Sequence, residues 1–122
     1  MRHTAITVST ATAIAVVLGS LSLSIPTVSQ AESSVDEGKK IAFDRKKGNC
    51  LACHQIEGGS LPGNIGPPLI AMKARFPDKQ VLKAQISNPQ KNNPNTIMPP
   101  FGPHEILSAG EIDMVVEFIH TL

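Results

Sequence analysis

The sequence predicts an all-α domain of short helices joined by long loops, and three observations lead there. Ile112, Val115, Val116 and Ile119 recur at the i, i+3, i+4, i+7 spacing of one helix face. No stretch shows strand-like alternation of useful length. Nine of the ten prolines fall between Pro62 and Pro103, together with Gly63, Gly66 and Gly102, so the middle of the chain reads as loop. At 122 residues there is room for one domain. With four Phe, no Trp and no Tyr, that domain is short of ring bulk, and a chain this small then needs a staple, a metal or a cofactor to complete its core.

The elements follow in order. Arg2 and His3 precede an apolar run from Ala11 to Leu23, broken at Pro26, and Ser29-Gln30-Ala31 puts small residues at the positions a signal peptidase inspects. Residues 1–31 are therefore expected to be a cleaved secretory signal and 32–122 the mature domain. An uncleaved anchor is the alternative, but Ser20, Ser22, Ser24 and Pro26 dilute the run below the ~20 apolar residues of a spanning helix. A first helix is expected over Val35 to Lys47, ended by Gly48 in a left-handed conformation. A shorter one is expected over Asp78 to Ser87, closed by Asn88-Pro89. Ser108-Ala109-Gly110-Glu111 fits a capping box and opens a last helix from about Ala109 to Thr121. Ile65, Leu69, Ile70, Phe76, Ile97 and Phe101 are strewn through the loops and argue against a disordered linker.

Charge excludes one class of function. The whole chain carries +1, and residues 32–122 hold ten basic and ten acidic side chains, so no field draws it to nucleic acid or to an anionic membrane surface. The basic run Lys39, Lys40, Arg45, Lys46 and Lys47 is either a local docking patch or the solvated face of the first helix.

The chemistry concentrates in Cys50-Leu51-Ala52-Cys53-His54. C-x-x-C-H is the attachment signature of c-type haem: two thiols add across the vinyl groups, and the adjacent imidazole reaches the iron. On a helical turn, residues three apart share a face and straddle one porphyrin edge. Three other readings stay open at this point. A thioredoxin-like redox pair wants a βαβ setting that is missing here. A structural zinc site wants two more ligands, for which only the isolated His104 and His120 are at hand. A plain disulfide leaves His54 idle. If haem is bound, Met98 is the candidate second axial ligand, because Pro99-Pro100 stiffen its loop and bias it away from helix. Met72 and Met114 sit in apolar runs and read as packing residues. His104 is the rival sixth ligand.

Together, the first helix, C-x-x-C-H, Gly66-Pro67-Pro68-Leu69, the methionine loop and the last helix resemble the class I cytochrome c fold, with three to five short helices and long Pro/Gly-rich loops wrapped round one covalently bound haem c. More narrowly, residues 42–54, 61–69 and 95–102, the last ending Met98-Pro99-Pro100-Phe101-Gly102, look like the SoxX family, the monohaem subunits of SoxAX cytochromes. That resemblance implies haem held by Cys50 and Cys53, His54 and Met98 as axial ligands, and Pro67 as the carbonyl that accepts the other imidazole N–H. It also implies a periplasmic protein paired with a SoxA-type cytochrome subunit. The pair would couple thiosulfate oxidatively to a cysteine of the carrier SoxYZ, an L-cysteine S-thiosulfotransferase reaction, with a downstream cytochrome as electron acceptor. The catalytic cysteine would lie on SoxA, since no thiol remains here once Cys50 and Cys53 are thioethers. A freestanding electron carrier and a haem protein with an open iron position are the alternatives. The chain departs from the broader class at the first helix, where Phe43 lies five residues after Gly38 and Ala42 stands where the ring is expected, which leaves first-to-last helix packing in question.

Overall fold

The computed structural model describes residues 28–122, with side chains from Glu32 onward. The expected signal segment lies outside the described residues except for its last four, which begin the first helix. Four α-helices follow in order: α1 (Val28–Phe43), α2 (Met72–Arg75), α3 (Lys79–Ser87) and α4 (Ala109–Ile119). Short 3-10 turns occupy Cys50–Ala52 and Pro89–Lys91, and there is no strand among the described residues. None of the described helices is long and apolar enough to cross a membrane.

The expected helix over Val35 to Lys47 is shifted toward the N-terminus and stops at Phe43. Gly48 does not serve as a left-handed cap. Asn49 takes that conformation instead, at φ 47°, while the Gly48 N–H turns back to the Ile41 carbonyl at 3.1 Å. A Cβ at Gly48 would press on that same carbonyl at 2.7 Å, so close approach, not a positive φ, is what requires glycine here. The other two expected helices form with the anticipated caps. Asp78 accepts from the Gln80 N–H at 2.8 Å to open α3. Ser108 and Glu111 form the reciprocal capping box of α4, which ends two residues earlier than expected. Each cap satisfies backbone donors that have no partner within their own helix.

α1 and α4 cross in close contact, and the crossing resolves the packing question. Gly38 meets the Met114 backbone so tightly that a Cβ there would overlap the Met114 carbonyl oxygen. Phe43 meets Phe118 edge to face, centroids 5.8 Å apart and planes at 85°. The ring set one residue late still finds its partner on α4. The buried core is Ile41 and Ala42 from α1, Leu82 and Ile86 from α3, and Ile112, Val115, Val116, Phe118 and Ile119 from α4, joined by Ile56, Met72, Phe101 and Leu107. Ion pairs Lys79–Glu117 at 2.6 Å and Lys83–Asp113 at 2.5 Å lace α3 to α4 along the surface.

Candidate functional site

Cys50 opens the 3-10 turn that follows α1, and Cys53 caps its end. The Cys50 carbonyl accepts from both the Cys53 N–H at 3.2 Å and the His54 N–H at 2.8 Å, which winds five residues into one compact turn. Neither cysteine is in a disulfide, and both are half-buried. Burial pushes the Cys50 thiol up to about 11. A thiol–disulfide catalyst needs the opposite, a depressed thiol, so the redox-pair reading loses its chemistry here. His104 and His120 do not join the cysteines either, for no group of three or more metal donors assembles among the described residues.

The loop after the turn folds back over it. Gly63 N–H donates to the Leu51 carbonyl at 2.7 Å, Gly66 N–H to Cys53 at 2.8 Å and Leu69 N–H to Gln55 at 2.9 Å. His54 is held from two sides by this loop. Its Nδ1 is 2.8 Å from the Pro67 carbonyl oxygen, which can only accept, so the proton resides on Nδ1 and the Nε2 lone pair is free for a metal. Gly66 sits against the ring so closely that a Cβ there would come within 2.5 Å of Cε1 and 2.6 Å of Nδ1.

The methionine loop is anchored at its far end. Gly102 N–H donates to the Ser87 carbonyl at 3.0 Å, and the Phe101 carbonyl accepts from Ile106 and Leu107. Pro100 and Phe101 are buried, whereas Met98 is half-buried against the core with its N–H on Thr96 Oγ1 at 3.2 Å. The other candidates fare differently. Met72 is a buried core residue and Met114 packs half-buried against the core, as expected of packing methionines. His104 is exposed, and His120 bonds through Nε2 to the Phe76 carbonyl at 3.1 Å.

The residues thus fit a covalent haem: two unpaired thiols on one turn, an imidazole with a free nitrogen, and loops that expose apolar side chains. Leu61 is 97% exposed, Ile97 76%, Ile65 63% and Ile70 62%. A cytochrome c family model matches residues 35–122. The chain belongs to the cytochrome c family. It has the all-α class I fold and carries one haem c through Cys50 and Cys53. It is similar to a chain of the SoxXA crystal structure from P. pantotrophus, with 30% identity, a TM-score of 0.64, and 70% of this chain and 79% of that one covered. This likeness supports a SoxX-like cytochrome. An uncharacterized lipoprotein of Aquifex aeolicus (strain VF5) is 37% identical over 76 residues, 62% of this chain. This chain spans 37% of the length of that relative.

The basic run stays exposed, and three of its five side chains have partners within the chain. Lys47 pairs with Glu111, Lys40 with Glu37, and Lys39 sits over the Phe43 ring at 5.7 Å, so Arg45 and Lys46 alone make no such contact. The run was legible; its partners, 64 residues away in the case of Glu111, were not.

Proposed function

We propose that this chain is the exported, periplasmic electron-transfer subunit of a SoxA-containing complex, with His54 and Met98 as axial ligands of its haem. The observation that carries the reading is the likeness to SoxXA over most of the neighbour's chain. The surface supports it. Residues 58–72 and 92–103 contain no charged side chain, yet they expose Leu61, Ile65, Ile70 and Ile97. A shuttle that docks and leaves relies on steering charges, whereas a permanent subunit buries apolar surface.

Bound haem supplies a one-electron couple there. This chain's own residues hold the imidazole proton at Nδ1 through the Pro67 carbonyl and present Met98 from a proline-stiffened loop. Joining the terminal sulfur of thiosulfate to a SoxYZ cysteine thiol forms a sulfur–sulfur bond and releases one proton and two electrons. A single-haem chain takes those electrons one at a time and hands them to a downstream cytochrome. With both cysteines in thioether bonds the chain has no thiol for the adduct, so the bond-making cysteine belongs to the partner. Processing after Ala31 would leave α1 starting at Glu32.

The test is the native mass and haem content of the complex purified from the periplasm of cells growing on thiosulfate. One haem on this chain and a larger haem-bearing partner are expected; a chain eluting alone would return the freestanding carrier. Met98→Ala should abolish the low-spin methionine-ligated spectrum and lower the potential, and an unchanged spectrum would instead indicate an open iron position.

A further inference from the structure

The segment that holds His54 has an unusual weakness. Pro67 and Pro68 have no N–H, so neither can anchor its own peptide by donating. The flanks are tied through Gly66 N–H and Leu69 N–H, but the two proline carbonyls are held only by side chains. His54 Nδ1 takes Pro67 O at 2.8 Å, and Arg75 Nη1 takes Pro68 O at 3.0 Å. Arg75 is itself fixed, because the same Nη1 reaches Met72 Sδ at 3.4 Å and α2 is bolted to the chain end. Met72 N–H donates to the Leu122 carbonyl at 2.7 Å, and His120 Nε2 donates to Phe76 O at 3.1 Å. The Pro67 carbonyl lies in the peptide plane that ends on the Pro68 nitrogen, and the Pro68 ring fixes φ, so a single soft torsion, ψ of Pro68, separates the two carbonyls.

We propose that Arg75 is a positioning residue for the haem-ligating histidine: its guanidinium clamps Pro68 and thereby sets the Pro67 carbonyl that orients the His54 ring. This rests on the reading of His54 as an axial ligand. The guanidinium also places a positive charge beside the Pro67–Pro68 segment that holds His54, and this disfavours the ferric state. The C-terminal residues Leu122 and His120 act through α2, which gives the chain end a role in tuning a site from which it is remote in sequence.

The test uses the haem-bearing full chain with Arg75→Met and Arg75→Lys. Two quantities are read: exchange of the His54 Nδ1 proton by NMR in the ferrous protein, and the ferrous-to-ferric ratio at fixed ambient potential. Arg75→Met should speed the exchange about tenfold, the loss of roughly one hydrogen bond's hold, and shift the ratio about threefold toward ferric. Arg75→Lys keeps the charge, but its ammonium ends one bond short of the Nη1 position that meets both the Pro68 carbonyl and Met72 Sδ, so it should restore the ratio and leave exchange fast. Wild-type exchange and ratio in Arg75→Met would overturn the proposal. If Arg75→Met does not accumulate with haem, Arg75→Lys decides alone: fast exchange supports the clamp and wild-type exchange overturns it. A wild-type protein whose ferrous spectrum shows no histidine ligation would instead sink the reading of His54, independently of either variant.

Discussion

The α1–α4 side and the loop side of this molecule are built on opposite terms. On the first, apolar faces close on one another, the helices are capped, and surface charges are paired as Lys47–Glu111, Lys79–Glu117 and Lys83–Asp113. On the second, residues 58–72 and 92–103 have no charge, little regular structure, and large apolar side chains turned outward. A leucine at 97% exposure, held at φ 52°, is poor design for a surface facing water and reasonable design for one that is covered. The helical side is complete as polypeptide. The loop side is completed by what it binds, the covalent haem first and, on our reading, a partner subunit second.

If that division is real, it should break separately on each side. The largest effect is expected at the helix crossing. Gly38→Val places atoms into the Met114 backbone, which cannot yield as a side-chain tip would, and should cost about 3 kcal/mol or more of stability in denaturant titration of the haem-bearing protein. Gly66→Ala strikes the other side. Its methyl meets the His54 ring, so it should cost about 1–3 kcal/mol and perturb the low-spin spectrum, while leaving far-ultraviolet helicity intact. A Gly66→Ala protein with unaltered ligand-field bands would mean that the loop gives way more easily than the two-sided hold on His54 implies.

Sequence reading reached the two sides unequally for a physical reason. Caps and periodic apolar positions are local, so α3 and α4 could be located from Asp78, Ser108 and Glu111 within two residues of their observed ends. The attachment turn was equally legible because C-x-x-C-H is contiguous. What escaped depends on distant contact. α2 has four residues and no period to read, and it exists because Leu122 and His120 hold its ends. Gly48 reads as a left-handed cap in the sequence because the packing of its amide onto the Ile41 carbonyl leaves no local signal. Gly38 carried the helix contact despite the displaced ring, since an edge-on approach of Phe43 to Phe118 tolerates the shift. The pairing of His54 with Pro67 was reachable through family resemblance alone.

Smaller effects sharpen the helical side further. Ser108→Ala removes the oxygen that accepts from Glu111 N–H at 3.3 Å and should cost about 1 kcal/mol without touching the spectrum. The same cap gives the helices an acid dependence that the uncharged loops lack. The Lys47 ammonium bonded to Glu111, helped by the backbone N–H and hydroxyl of Ser108, holds that carboxyl down at about 2. A carboxylate depressed on folding stabilises the native state above its unfolded pKa of about 4.3, and that contribution fades as pH falls toward 2. Glu111→Gln should therefore be less stable than wild type at pH 7, and the two curves should converge across the window from about 4.3 down to about 2. Convergence would show that the ionised Glu111 carboxylate, held by both Lys47 and Ser108, supplies the stability at the start of α4. Curves that stay parallel through that window would place the loss in helix capping geometry alone, and the ion pair would then be ornamental, as many exposed pairs are.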